Sequence, residues 1–258
     1  MANLYIDAIA IAIRSRPRLQ PSAELPRRNP RRREADMIAH NRGIPAERMY
    51  VRQPVPGDPA DAADYAITWR ALDALGPPGR GQALFLVRSG SVIDPMTAPL
   101  AATAHAVGWT GDDVGISHLE EQGGTQVFNL LDWAVPEDHG ATVVIVDDPA
   151  YVAVQIEEPA FAAVALRLAR TGALRVAASG EDSVGTRALP PEARHAHVLS
   201  GPGACHAWLY LHAALSSGAV KQGELVLLCT VGDEQRGWVL LEASRPHELR
   251  MTKTLMEE

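Results

Sequence analysis

Residues 203–244 read GACHAWLYLHAALSSGAVKQGELVLLCTVGDEQRGWVLLEAS and carry the clearest pattern in the sequence. The small and apolar residues before Gly218 predict a helix from about Pro202 to Ser217, which the glycine ends. Two apolar segments, ELVLLCTV and RGWVLLEAS, then predict strands joined by a polar turn. Three elements bury too little apolar surface to fold alone, so we expect this tail to pack on the rest of the chain or on another subunit.

Strands and helices alternate in the part of the chain that precedes this tail. The apolar N-terminal segment, QALFLVR at 82–88 and ATVVIVDD at 141–148 predict strands, whereas residues 15–35 are rich in Pro and Arg and predict an exposed excursion. Three helices are predicted between the strands: an amphipathic one capped by Asp58 and Pro59 and ended by Gly76, one from Asp94 and Pro95 to near Gly108, and one that carries Val127, Phe128, Leu130 and Leu131. This alternation predicts a largely parallel sheet with helices on its faces.

The pattern changes to a period of two at FAAVALRLARTGALRVAASG, residues 161–180. This alternation across Thr171 and Gly172 predicts an antiparallel hairpin. The polar stretch GEDSVGTRALPPEARH, residues 180–195, has the composition of a linker or surface loop. We therefore predict two units, residues 1–180 and a shorter unit of residues 181–258.

Composition excludes several functional classes. The 258 residues have a formal net charge of −7, which gives no electrostatic reason to bind nucleic acid or acidic lipid. Only two cysteines occur, no disulfide or zinc pattern is present, and no apolar run reaches the roughly 18 residues that a membrane span needs. We expect a cytoplasmic protein without cofactor or metal. One basic cluster, comprising Arg27, Arg28, Arg31, Arg32 and Arg33, is either a solvated loop or a docking site for an acidic carrier protein.

The quoted tail resembles the closing segment of the β-ketoacyl-acyl carrier protein synthase III family of the thiolase superfamily. The similarity consists of a small-residue helix start, an AL-x-SG helix end, a K-x-G turn and a glycine-bearing strand pair. QALFLVRSGSVIDPMTAPLAATAHAVGW, residues 82–109, and HLEEQGGTQVFNLLDWAV, residues 118–135, resemble earlier parts of the same family in order. The resemblance implies an α/β thiolase-like fold, with mixed sheets, covering helices and a truncated second half.

The same resemblance implies that the catalytic positions are empty. Members of this family carry a nucleophilic cysteine at the N-terminus of a buried helix, where the helix dipole favours a thiolate. The matching position here is about Gly123, beside Glu120 and Glu121, whose carboxylates would raise the pKa of a nearby thiol. The family's asparagine position falls near Gly201, and the region that matches its histidine contains no histidine.

Three other groups of residues are candidates for chemistry. Cys205 and His206 are adjacent at a predicted helix start, which can activate a thiol, although neighbouring helical residues point about 100° apart. Glu120 and Glu121, with His118, form a candidate acid–base set or an interface patch. His195 and His197 would share one side of an extended segment, but their spacing matches no known metal signature.

These observations favour a partner subunit over an enzyme. We expect a non-catalytic subunit that pairs with an active synthase III-like subunit, where it would complete the acyl tunnel of that partner, fix the chain length or dock an acyl carrier protein. The resemblance extends in kind to the non-catalytic subunit of alkylquinolone-forming heterodimers and to the chain-length factors of polyketide synthesis. Two alternatives stay open, a stand-alone acyltransferase that uses Cys205 and a homodimer that binds an acyl ligand without chemistry.

Overall fold

The computed structural model describes residues 4–14, 17–53, 65–90, 98–117, 119–135, 138–153, 161–183, 189, 191–231 and 235–256. Five α-helices lie within these ranges: α1 (Pro30–Asn41), α2 (Ala66–Leu75), α3 (Pro99–Ala106), α4 (Gly123–Ala134) and α5 (His206–Ser216). The strands are β1 (Tyr5–Arg14), β2 (Leu19–Pro21), β3 (Met49–Arg52), β4 (Ala83–Arg88), β5 (Asp113–Ile116), β6 (Ala141–Asp147), β7 (Tyr151–Ala153), β8 (Ala162–Ala169), β9 (Leu174–Ser183), β10 (His197–Gly201), β11 (Leu225–Val231), β12 (Gln235–Ala243) and β13 (Arg250–Met256).

One ten-stranded mixed sheet runs through the molecule in the order β10-β11-β12-β9-β1-β8-β6-β4-β5, with β13 paired beside β1. From the edge of the sheet inward, the first half has the order β5-β4-β6-β8-β1. These strands are the third, second, fourth, fifth and first of that half along the chain. The second half repeats this order with one strand fewer, because β10 pairs directly with β11. The chain therefore contains two similar halves, of which the second is shortened.

The strongest sequence signals are confirmed. The predicted strands at the N-terminus, at 82–88 and at 141–148 are β1, β4 and β6, and the three predicted helices correspond to α2, α3 and α4. The positive φ of Gly76, 85°, ends α2 where the sequence predicted a stop. The caps predicted at Asp58, Pro59, Asp94 and Pro95 lie outside the described residues.

The predicted hairpin at 161–180 is wrong. Its two segments do form strands, but β1 lies between β8 and β9. Both strands pair with β1 in antiparallel orientation, β8 over most of its length and β9 through Arg175 and Leu174. A period of two identifies a strand but does not identify its neighbours, which explains the error. β9 spans residue 180. The division of the chain into two units at that residue stays a prediction.

Among the elements that were not predicted are β2, α1 and β13. Residues 15–35 contain β2 and the start of α1, whose first turn is capped by the Asn29 side chain accepting from Arg31 N–H at 2.9 Å. This segment packs on a separate three-stranded sheet, β2-β3-β7, through its own small apolar cluster. The last strand, β13, pairs in parallel with β1 and completes the centre of the large sheet.

Different helices pack on the two faces of the large sheet. On one face, α4 and α5 pack against each other and on both halves of the sheet, and Phe128 stacks on Trp208 with ring centroids 5.5 Å apart. On the other face, Ile67, Ala71 and Leu72 of α2 cover β1 and β8. Among the described residues, no helix combines the length and the apolar character needed to cross a membrane.

Candidate functional site

The N-termini of α4 and α5 meet at the carboxyl ends of parallel strands. β4, β5 and β6 run parallel in the first half, and β10 and β11 run parallel in the second. The Trp208 indole N–H donates to the Gly124 carbonyl at 2.8 Å, and the hydroxyls of Thr125 and Thr230 are hydrogen bonded at 2.6 Å. Since ligand sites of α/β sheets lie outside the carboxyl ends of strands, this junction is the candidate site.

Backbone and apolar side chains fill the space around the first turn of α4. A β-carbon on Gly124 would overlap the carbonyl oxygen of Ala204, in the turn that leads into α5. A β-carbon on Gly123, the position that matches the family's nucleophile, would lie 3.0 Å from Val87 Cγ1. Both glycines are buried. The N-terminus of α4 is therefore covered by the turn that leads into α5: no side chain fits at Gly124, and one at Gly123 would require Val87 to shift.

The region that matches the family's asparagine is equally filled. A β-carbon on Gly201 would overlap the β-carbon of His206, and one on Gly203 would overlap Asp147 Oδ2 and lie 2.8 Å from His206 Nδ1. The Asp147 carboxyl and the His206 ring therefore both lie against Gly203. The glycines at 201 and 203 allow the leading turn of α5 to approach these two side chains.

Asp147 is the most perturbed acid of the site. Burial raises the pKa of Asp147 to about 7, and the charges of Glu121 and Asp148 add to this rise. Hydrogen bonds from the Ser89 hydroxyl, at 2.9 Å, and from the Cys205 backbone N–H oppose the rise in pKa. Asp147 was not singled out from the sequence, although an acidic pair directly after a buried parallel strand is a signal for this edge of a sheet.

His206 has a defined hydrogen bond on one ring nitrogen. The Gly203 backbone N–H donates to His206 Nδ1 at 3.1 Å, so Nδ1 is the unprotonated nitrogen in this geometry. The ring is half-buried and lies next to the Asp147 carboxyl. An imidazole beside a carboxyl with a raised pKa is a pair that can hold or move a proton.

Cys205 lies in the core, with its side chain 0 % exposed. Its Sγ is 3.5 Å from the Ile145 carbonyl and 3.6 Å from the Ala162 carbonyl, so the thiol points at the backbones of β6 and β8. Burial raises the pKa of Cys205 well above the ordinary value, and the charge of Asp147 adds to this. The geometry is that of a structural thiol, and Cys205 and His206 point to different surroundings.

The other sequence candidates are only partly brought to the site. Glu121 is half-buried and close enough for its charge to raise the pKa of Asp147. His118 and the side chain of Glu120 lie outside the described part of the chain. His197 lies on the edge strand β10, and its Nε2 is 3.1 Å from Glu224 Oε2. The described residues contain no cluster of three or more potential metal ligands.

A buried ion-pair cluster borders the site and was not predicted. Arg14 Nη2 lies 3.6 Å from Asp148 Oδ2, and Arg52 Nε lies 3.2 Å from Asp148 Oδ1, with all three side chains almost fully buried. Arg14 ends β1, Arg52 ends β3, and Asp148 follows β6. The cluster therefore joins the small sheet to the large one beside Asp147. Separated basic and acidic residues give no sequence signal of such a pairing.

Solved structures with similar folds are condensing and acyl-transferring proteins. ChlB3, an acyltransferase, aligns over 95 % of this chain and 99 % of its own at 13 % identity, with a TM-score of 0.62. The 3-oxoacyl-(acyl carrier protein) synthase III FabH of Pseudomonas aeruginosa PAO1 aligns over 93 % and 98 % at 14 % identity, with a TM-score of 0.55. OleA of Xanthomonas campestris, solved with lauric acid and lauroyl-CoA, aligns over 93 % and 99 % at 11 % identity, with a TM-score of 0.56.

No protein-family model and no curated protein matches the sequence. Identities this low establish the fold and not the activity. The chain has a thiolase-like α/β fold, with a large mixed sheet and few helices, and its second half is shorter than its first.

Substituting Gly124 by Ala tests the packing at the first turn of α4. Because the added β-carbon overlaps the Ala204 carbonyl oxygen, we expect Gly124→Ala to lower the free energy of unfolding by about 3 kcal/mol or more. Gly90→Ala is the matched control, since its β-carbon would meet Pro149 Cβ at an ordinary 3.5 Å. Urea unfolding measures both variants. Equal stabilities would show that the turn of α5 does not close on α4.

The raised pKa of Asp147 predicts a pH-dependent stability. The folded chain keeps this proton up to about pH 7, whereas the unfolded chain releases it near the ordinary value of 3.8. The folded state therefore binds the extra proton between these values, and its stability falls as the pH rises through this window. Asp147→Asn removes this fall, so its stability relative to the parent should increase by at most roughly 4 kcal/mol between pH 4 and pH 8.

Urea unfolding at pH 4, 6 and 8 measures the effect, with Asp112→Asn as the control at an exposed carboxyl. A difference in the free energy of unfolding between parent and Asp147→Asn that stays constant over this range would contradict the raised pKa of Asp147.

Proposed function

We propose that this chain is a non-catalytic subunit that pairs with an active synthase III-like subunit in acyl transfer or condensation, in secondary metabolism of the polyketide or fatty-acyl type. The observation that carries the proposal is the filled N-terminus of α4. A thiolate at such a helix end needs a side chain, room for an acyl thioester and free backbone N–H groups for the oxyanion. Gly123 and Gly124 supply no side chain, and the Ala204 carbonyl takes the space at Gly124.

The residues of the site do not restore a nucleophile elsewhere. The stand-alone acyltransferase alternative requires Cys205, whose thiol is enclosed by β6 and β8 and has a raised pKa. A buried thiol that resists ionisation is a poor nucleophile. The Asp147 and His206 pair can move a proton, but general acid–base chemistry on an acyl group still needs an acceptor nucleophile.

The names of the similar structures support an acyl substrate for the active partner. They include an acyltransferase, a synthase of 3-oxoacyl-(acyl carrier protein) and a tetronic acid condensing enzyme. A catalytically silent copy of this fold can serve such an enzyme by completing its acyl tunnel and fixing the length of the chain that enters it.

The edge strand β5 is the surface through which we expect pairing. The resemblance to the synthase III family implies dimerisation through the strand next to the nucleophile strand, which extends one sheet across two subunits. In this chain, β5 precedes α4 and is an edge strand of the sheet. β5 pairs with β4 on one side, and no other described strand pairs with it. Val114 on β5 is 42 % exposed. Unpaired backbone groups and an exposed valine suit strand addition by a second subunit.

The arginines around the start of α1 are a second contact surface in this proposal. Arg27, Arg28 and Arg33 are exposed and form no ion pair within the part of the chain that the structure describes. Arg32 differs, since it donates to the carbonyls of Ala23 and Leu25 and so holds the segment in place. The three exposed arginines match the acidic surface of an acyl carrier protein.

Co-expression with an intact synthase III-like protein from the same gene neighbourhood tests the pairing. We expect a one-to-one complex by size-exclusion chromatography with mass detection. Val114→Glu should weaken the complex at least 10-fold, because it places a charge in the strand interface. Val198→Glu is the matched control, since Val198 is 60 % exposed on β10, the edge strand at the other end of the same sheet.

Each alternative has its own outcome. If Val198→Glu disrupts the complex and Val114→Glu leaves it intact, the interface lies at β10 and the proposed pairing through β5 is wrong. A stable homodimer that retains an acyl ligand through purification would favour the binding-protein alternative over the heterodimer.

A further inference from the structure

A groove of about 640 Å³ lies on the face of the sheet opposite to the candidate site. Its walls come from α2 and the turn that follows it, from the end of α3, and from Trp109 and Met256. Ligand pockets for small organic molecules have volumes of roughly 300–1,000 Å³. The groove therefore has the size of a small-molecule site.

Hydrogen bonds fix the walls of the groove. The Trp109 indole N–H donates to the Gln82 carbonyl at 2.9 Å, which holds the ring in one orientation. The Arg167 guanidinium donates from Nη2 to the Gly76 carbonyl at 2.9 Å and to the Pro77 carbonyl at 3.0 Å. These contacts hold the turn after α2 in place from the side of the sheet. A wall that is already ordered loses little conformational entropy when a ligand binds.

The lining is apolar and aromatic. Trp69, 40 % exposed, stands on the α2 side, and Trp109 stands on the α3 side. Leu72, Val107 and Met256 also line the space. Two indole rings on different walls favour a flat aromatic body, which can stack or make edge contacts with both.

The charges around the groove favour an anion. Arg70 and Asp73 lie one turn apart in α2 and both line the groove. Arg167 adds a second cation behind the wall: it is only 6 % exposed, and its hydrogen bonds go to Gln82, Thr142 and the two turn carbonyls, all uncharged. Burial lowers the pKa of Arg167 to about 10, so it remains cationic at neutral pH. A buried cation without a carboxylate in contact is stabilised by a nearby anion.

We propose that this groove binds a small aromatic carboxylate, with its ring system between Trp69 and Trp109 and its carboxylate on Arg70. Arg70 recognises the carboxylate through paired N–H groups, and Asp73 limits how tightly an anion binds. The site is separate from the α4–α5 junction and does not depend on the proposed pairing with a catalytic subunit.

A matched pair of ligands tests the proposal by isothermal titration calorimetry on the purified chain. 2-Naphthoic acid carries the aromatic body and the carboxylate, and 2-naphthamide has the same shape without the charge. We expect one binding site per chain and an affinity for the acid about 10-fold above that for the amide, as a charge-assisted hydrogen bond gives.

Three variants then separate the contributions. Arg70→Gln should weaken binding of the acid about 10-fold and leave the amide unchanged, and Asp73→Asn should tighten binding of the acid a few-fold. Trp69→Ala should weaken both ligands, since it removes one aromatic wall. Arg70 and Asp73 are exposed, so their variants should keep the parent's unfolding midpoint. Trp69 packs edge-on against Tyr65, so Trp69→Ala should lower the midpoint, and its binding is measured well below that midpoint.

Three results would overturn the proposal. They are no binding of the acid at millimolar concentration, equal affinities for acid and amide, and an affinity for the acid that Arg70→Gln leaves unchanged.

Discussion

The first turn of α4 packs directly on the turn that leads into α5, and this contact controls the rest of the site. Gly124 meets the Ala204 carbonyl so closely that no β-carbon fits, and the same glycine's carbonyl accepts the Trp208 indole N–H at 2.8 Å. Trp208 in turn stacks on Phe128 of α4. A close backbone contact, a hydrogen bond and an aromatic stack therefore all join the two helices at this point.

The closed junction buries a group of polar side chains away from water. Asp147 has a raised pKa, Cys205 is enclosed by backbone carbonyls, and Asp148 forms ion pairs with Arg14 and Arg52. Burial favours the neutral forms of Asp147 and Cys205, whereas the charge of Asp148 is paired with two arginines.

Much of the fold could be predicted from local patterns, and the failures have physical causes. The apolar strands β4 and β6 and the amphipathic helices α2 and α4 follow directly from periodicity and from glycine stops. The partners of β8 and β9 could not be found in this way, because their shared neighbour β1 lies more than a hundred residues earlier. β13 also depends on β1 for its place in the sheet, and α1 is stabilised by a cap and by a small separate cluster.

The place of the site could be predicted, whereas most of its contents could not. The resemblance placed the nucleophile position at about Gly123, and the glycine is indeed the first residue of α4. The importance of Gly124, of Asp147 and of the Arg14, Arg52 and Asp148 cluster arises from contacts between distant segments, which one sequence does not encode as a motif.

Acylation measured by intact mass and peptide mapping tests the central claim most directly. The purified chain is incubated with an acyl thioester such as octanoyl-CoA, alone and together with a synthase III-like partner. We expect the mass of this chain to stay unchanged in both mixtures, with the acyl group confined to the partner's cysteine. An acyl adduct on this chain that disappears in Cys205→Ala would contradict a non-catalytic subunit and would identify an enzyme.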